Sequence, residues 1–159
     1  MGVVDIDASA TTVKKLDPAL QAAWIGLLRV PQALLAEVQN DLKKRGFPPL
    51  EWYDVLLELS LRKDGRLRQR DLAERLLVAR YNLSRLLDRL EAEGLVRREP
   101  CEDDARGAMV AITAEGRTLR QAMWPSYAEA IQARFGNRLP ADMVQVLAEA
   151  FGRLSREPH

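Results

Sequence analysis

Hydrophobic positions recur every three to four residues along most of the chain, the spacing of helices that bury one face. From Asp17 to Arg45 the stripe runs through Leu20, Trp24, Leu27, Leu28, Leu34, Leu35, Val38 and Leu42. Asp17-Pro18 is a start signal: an acceptor for the free N–H groups, then a Pro whose missing N–H costs nothing there. Pro31 falls inside the stripe, so a kink or brief interruption is expected. Gly46-Phe47-Pro48-Pro49 ends this helix, and a second runs from Leu50 to about Leu61 with Trp52, Val55, Leu56 and Leu59 on one side. After the turn Lys63-Asp64-Gly65-Arg66 come two short helices close together. The first, within 67–78, turns Leu72, Ala73, Leu76 and Leu77 inward; the second, within 79–94, does so with Leu83, Leu86, Leu87 and Leu90. Gly94 closes the second helix, letting Leu95 fold back on the stripe.

The strand-like part follows. Val96–Glu99 and Met109–Ile112 have β character and flank the polar, turn-rich loop 100–107. Thr113 can then cap a long helix reaching about Phe135, carrying Leu119, Met123, Tyr127 and Ile131 and an internal Pro125 expected to kink it. Gly136-Asn137 stops it. Pro140 opens a last helix with Met143, Val146, Leu147, Ala150, Phe151 and Leu154 apolar.

Two short helices, a tight turn and a hairpin make a winged helix-turn-helix. The exposed side of its second helix carries Arg80, Tyr81, Asn82, Ser84 and Arg85, residue types that contact bases and phosphates. The hairpin would be the wing, with Arg106 beside Gly107 at its tip, a long cation suited to a narrow minor groove. The first and last two helices hold more apolar surface than this module needs, as a two-fold dimer interface would require.

The expected architecture is therefore mainly α with a small β-hairpin wing. Residues 1–16 read as a flexible extension, 17–48 and 114–156 as a helical dimerisation region, and 50–113 as the winged helix-turn-helix.

The overall charge of +1 hides an asymmetry. Residues 62–98 hold eleven bases against six acids, and ten of the eleven are Arg, which grips phosphate and guanine edges bidentately. One Cys excludes an internal disulfide or Cys-based zinc site, and one His, at the last position, excludes Ser-His-Asp and Cys-His catalysis. No phosphate loop, dinucleotide fingerprint or metalloprotease motif is present. An enzyme is not expected, nor a cofactor or metal. The first residues carry acids where a secretion signal needs bases, and no unbroken apolar run approaches the roughly 18 residues of a membrane span. A cytoplasmic protein without membrane association is expected.

The segment DLAERLLVARYNLSRLLDRLEAEGLVRREPCEDDARGAMVAITAEG resembles the MarR-type regulators, winged helix-turn-helix transcription factors. Its specific part is Asp104-x-Arg106, then hydrophobics, then Ile112-Thr113-x-x-Gly116, and the order of elements matches from about Asp17 to Arg153. The resemblance implies a dimer held by the first and last two helices. It also implies repression or activation of transcription, commonly relieved by small aromatic or phenolic acids or, in one branch, by cysteine oxidation; of the two, repression is expected here. It places recognition-helix contacts on Arg80, Tyr81, Asn82, Ser84 and Arg85 and a minor-groove finger on Arg106, with Asp104 orienting the wing; Arg97 adds charge to the same surface. The partner implied is a pseudo-palindromic double-stranded operator. Ala79 stands where the family often has a Ser N-cap, so a weakened helix start is expected.

The family's effector pocket lies where the first, second and fifth helices meet the reading head. Trp24, Arg29, Trp52, Tyr53, Met123 and Trp124 could there hold a flat aromatic acid by stacking and one charge-assisted hydrogen bond. Two other readings remain: a thiol-based sensor using Cys101, and a winged-helix module that binds protein. Glu102 and Asp103 beside Cys101 oppose thiolate formation, which favours a structural thiol.

Overall fold

The computed structural model describes residues 15–76, 82–104 and 106–155. Arg80, Tyr81, Leu77 and Ala79 lie outside them, as do residues 1–14. The chain forms two compact units, residues 1–33 and 34–159.

In the first unit, helix α1 (Pro18–Lys44) starts as its sequence dictates. Asp17 Oδ1 accepts from Ala19 N at 2.9 Å and Leu20 N at 3.0 Å. The helix continues through Pro31 without interruption, because a proline removes one backbone donor and leaves the rest of the ladder intact. Leu20, Trp24, Ile25, Leu27, Leu28 and Val30 are all exposed. Over its most apolar 18 residues α1 has a mean hydropathy of 1.2, long and apolar enough by length and composition to cross a membrane. Its apolar run is not unbroken: single polar residues such as Arg29 interrupt it while the mean stays high.

In the second unit, α1 ends in a Schellman motif: Phe47 N donates to Leu42 O at 3.1 Å and Gly46 N to Lys43 O at 3.0 Å, with Gly46 at φ +81°. Helix α2 (Leu50–Ser60) follows, then strand β1 (Arg66–Arg68), α3 (Gln69–Arg75), α4 (Leu83–Ala92), β2 (Val96–Pro100), β3 (Ala108–Ile112), α5 (Ala114–Arg134), a 3₁₀ turn (Gly136–Arg138) and α6 (Ala141–Leu154). The sheet has three strands in the order β1-β3-β2, both pairings antiparallel. The expected hairpin is present, and β1 joins its outer edge, pairing Arg66 with Ala111 and Arg68 with Met109.

Two apolar clusters organise this unit. One packs Val55, Leu56 and Leu59 of α2 with Leu72, Leu86, Leu87, Leu90, Leu95, Val96, Val110 and Ile112, closing the core under the sheet. The other joins Val38 and Leu42 with Leu50, Tyr53, Met123 and Ala130. Ala73, expected inward, is exposed: α3 is seven residues long, and its one buried position, Leu72, faces about 100° away. Leu83 is half-buried. α5 runs unbroken through Pro125.

Three rungs of charge tie α1 to the far end of α5. Arg134 grips Asp41 bidentately at 2.7 Å per bond, Arg138 reaches Glu37 at 2.7 Å, and Arg45 meets Glu129 at 2.6 Å. α6 buries none of its residues; Met143, Val146, Phe151 and Leu154 are exposed.

Candidate nucleic-acid interface

The exposed face of α4 is defined by what its other face buries. Leu86, Leu87 and Leu90 are sealed in the core, so Ser84, Arg85, Asp88 and Arg89 point to solvent. Asn82 caps the helix, its side chain accepting from Arg85 N at 3.4 Å. The helix therefore starts with a side-chain cap at Asn82, and the weak start expected from Ala79 does not arise at its first described turn. The C-terminus closes as a second Schellman motif, Leu95 N to Leu90 O and Gly94 N to Glu91 O, both 2.9 Å, with Gly94 at φ +71°. Leu95 is buried and leads directly into β2.

The wing is ordered by Asp104. Its Oδ1 accepts from Arg106 N at 2.9 Å while its carbonyl accepts from Gly107 N at 3.1 Å. This Asx turn presents Arg106 at the exposed tip. Cys101 lies buried at the wing's base, packed so that a Cβ on Gly107 would stand 3.1 Å from its sulfur. At the other end, Thr113 caps α5, accepting from Gly116 N at 3.0 Å and donating to Gly94 O at 2.7 Å. Gly116 has a steric reason to be glycine: an added Cβ would lie 2.2 Å from Leu95 O.

Of the expected contact residues, Asn82, Ser84, Arg85, Arg97, Asp104 and Arg106 are exposed; Arg80 and Tyr81 fall outside the described residues. Arg85, Arg89 and Arg106 form no ion pair among the described residues. Arg97 meets Glu99 loosely, at 3.7 Å. Arg98 turns inward instead, tying β2 to α4 through Asp88 and through Glu91, whose carboxylate accepts from Arg98 N at 2.8 Å and from Nη2 at 3.1 Å. The backbone N–H and then the guanidinium of Arg98 hold the Glu91 carboxyl below its ordinary range. In return Asp88 and Glu91 raise the pKa of Arg98.

Three further arginines, absent from the sequence-based set, flank the wing. Arg66 and Arg68 of β1 share the outer face of the sheet with Arg97 and Glu99, and Arg70 opens α3. Arg66 pairs with Glu99, and Arg68 meets Asp103 at 3.4 Å. The alternation Arg66-Leu67-Arg68 is the signal that could have found them, a strand with Leu67 inward.

The expected ligand residues are only partly brought together. Tyr53 stacks near Trp124 with ring centroids 6.3 Å apart, and Tyr127 meets both edge-on at 5.0 and 6.0 Å. Met123 is buried in the same cluster. Tyr127 was missed as a candidate; burial, then Tyr53 and Asp54, push its phenol pKa up. Trp52 packs against the other core, since consecutive helical residues point about 100° apart. Trp24 and Arg29 belong to the first unit. A cavity of about 690 Å³ in the second unit lies elsewhere, lined by Leu35, Gln39, Lys43, Phe47 and Leu50 among others.

Comparison with known proteins gives a consistent picture. The MarR family model matches residues 45–107. The HTH-type transcriptional regulator FarR of Neisseria gonorrhoeae is 32% identical over 95 residues, 60% of this chain and 63% of that protein, so the chain spans less than two thirds of it. YkoM of Bacillus subtilis, also an HTH-type transcriptional regulator, is 30% identical over 108 residues, 68% of each protein. Among solved structures, Sco3205 of Streptomyces coelicolor, a MarR family transcriptional regulator in complex with DNA, superimposes with a TM-score of 0.77 at 27% identity, covering 89% of both chains.

Proposed function

The chain belongs to the MarR family of transcriptional regulators, and from that premise we propose that it is a homodimeric, sequence-specific repressor whose grip on DNA is modulated by a small aromatic acid. One observation carries the DNA-binding part: α4 seals its leucines in the core and turns Ser84 and Arg85 outward, beside a wing whose Asx turn offers Arg106. In this reading α4 enters the major groove, with Arg80, Tyr81, Asn82, Ser84 and Arg85 supplying its contacts, and Arg106 enters the adjacent minor groove. Asp104 positions the wing, and Arg97 adds phosphate attraction.

The exposed apolar side chains of α1 and α6 support the dimer, since each face is too apolar to stay in water. A helix covered by a second copy has no need of lipid, and the protein acts in the cytoplasm, where its operator is. Tyr53, Trp124 and Tyr127, with Trp124 48% exposed, supply stacking surface for the effector. The burial of Cys101 does not favour thiol sensing.

The test is a footprint on DNA flanking the protein's own gene. A protected pseudo-palindrome with half-sites about one helical turn apart is expected. Arg106→Ala should weaken binding roughly 30-fold to 10⁴-fold, two symmetric contacts each being worth about 1–3 kcal/mol. No binding to any duplex at micromolar protein and low salt would overturn the reading. A panel of aromatic carboxylates that neither quenches tryptophan fluorescence nor releases DNA would remove the effector from it.

A further inference from the structure

A concavity of about 270 Å³ lies between the wing and the start of α3, bordered by Arg68, Arg70 and Arg106 together with Asp104 and Gly107. The three guanidinium groups come from β1, α3 and the wing turn, segments that only the fold brings together. Their acidic neighbours hold them loosely. Arg68 Nη2 is 3.4 Å from Asp103 Oδ2, Arg70 Nε is 3.7 Å from Asp71 Oδ1, and Arg106 has no ion pair among the described residues. Asp104, hydrogen-bonded to Arg106 N, also borders the site and offsets part of its charge, leaving three guanidinium groups against one carboxylate. Asp103, by contrast, is 85% exposed and borders the neighbouring concavity, holding Arg68, which the two concavities share, from that side.

A carboxylate and a phosphodiester offer a guanidinium the same thing: two anionic oxygens that accept a pair of N–H bonds. We propose that this concavity seats a backbone phosphate of DNA on Arg68 and Arg70, and that Asp103 stands in for that phosphate while the protein is free. The inference rests on the DNA-binding reading above and deepens it. Arg106 alone reports the minor groove; Arg68 and Arg70 fix the wing's height on the backbone and carry no base information. The exposed Asp103–Arg68 pair is weak and exchanges readily, so it keeps the arginine extended and shielded without locking it. Once DNA is seated, the released Asp103 carboxylate lies near a phosphate and repels it, so the pair lowers affinity for every duplex, operator or not.

The experiment measures binding of the full chain to its operator and to an unrelated duplex across a salt series. Arg68→Ala and Arg70→Ala should each weaken both duplexes by the same several-fold factor and flatten the log–log salt slope by about one per reading head. Asp103→Asn should tighten both several-fold and steepen the slope. Glu102→Gln, the same charge change one residue away, should do less. In the Arg68→Ala background Asp103→Asn should gain no more than Glu102→Gln does, because only the general charge effect remains once the pair is gone. Arg68→Lys should keep the slope, separating lost charge from lost fold.

Equal gains from Asp103→Asn and Glu102→Gln in the parent, or a gain from Asp103→Asn that survives Arg68→Ala undiminished, would overturn the stand-in. Parent-like slopes in Arg68→Ala and Arg70→Ala, with Arg106→Ala still defective, would overturn the phosphate seat while leaving the DNA-binding reading intact. Should Arg68→Ala fail to fold, unchanged binding in the exposed Asp103→Asn variant overturns the inference by itself. A parent protein that binds neither duplex sinks the underlying reading instead.

Discussion

Helices α4 and α6 are both amphipathic, and they meet opposite fates. α4 places Leu86, Leu87 and Leu90 in a core sealed by α2 and the three-stranded sheet, with Leu87 wholly inaccessible. α6 has as clear a stripe and buries none of it: Leu147 is half-covered, Val146 is 64% exposed and Leu154 70%. Periodicity states that a face will be covered, and says nothing of what covers it. For α4 the protomer supplies the cover, from α2 and from β2 and β3; for α6 it does not, and the proposed dimer would. The DNA-reading end is thus a self-sufficient module, and in the dimer proposed above the terminal helix would be half of an interface.

The largest test of that contrast falls on α6. Val146→Glu with Phe151→Glu should convert the dimer to a monomer by sedimentation and reduce operator affinity by about 10²–10⁴-fold through lost bivalency. The fold of the reading head should survive, judged by its unfolding transition. A dimer that persists, or a head that unfolds with it, would mean that α6 belongs to the protomer's own core.

The converse test falls on α4. Leu87→Ala should cost about 2–5 kcal/mol of stability, the range for emptying a fully buried leucine site, measured by denaturant unfolding. A loss below about 1 kcal/mol would show this core to be looser than its burial implies.

The two glycines at Gly116 and Gly152 sharpen the contrast at smaller scale. A Cβ at Gly116 would strike Leu95 O at 2.2 Å, backbone that cannot step aside cheaply, so Gly116→Ala should destabilise by about 1–3 kcal/mol. At Gly152 nothing lies within 4 Å, and Gly152→Ala should stabilise the helix by up to about 1 kcal/mol. A penalty at Gly152 equal to that at Gly116 would mean that α6 is packed far more tightly in the assembly than its free face conveys.

What was legible in the sequence was local. The Asp17 cap, the Thr113 cap, Gly46 and Gly94 as helix terminators and the inward leucines of α4 each depend on neighbours within a few positions, and each is found as read. The misses are long-range. β1 is three residues long and exists because β3 pairs with it, so Arg66 and Arg68 looked like turn and helix. Asp88 lies three residues from Arg85 on α4, yet it pairs with Arg98 across the turn into β2. Trp52 and Tyr53 looked like one aromatic site, and helical geometry sends them to different cores. The wing motif was readable because its residues sit next to one another; the arginines that flank it were not.

The smallest expected effect separates the same two regions by pH. Hydrogen bonds from Arg98 hold Glu91 low in the reading head, and Arg134 does the same for Asp41 between α1 and α5. For a carboxylate whose folded pKa lies below its unfolded value, the unfolded chain binds more protons in the interval between them. The stabilisation is therefore fully present above the unfolded pKa, about 4, and is lost as pH falls through the folded value. Glu91 is exposed and Asp41 only half-buried, so solvent still screens each pair, the second less, and the loss is modest. Glu91→Gln should flatten the acid limb of the reading head's unfolding profile, whereas Asp41→Asn should flatten that of the α1–α5 contact. The readouts are a fluorophore on the wing and one on α5, each followed from neutral pH to below pH 4. If either substitution flattens both limbs equally, the reading head and the α1–α5 pair unfold as one unit, and the contrast between self-contained head and dependent helices ends at α6.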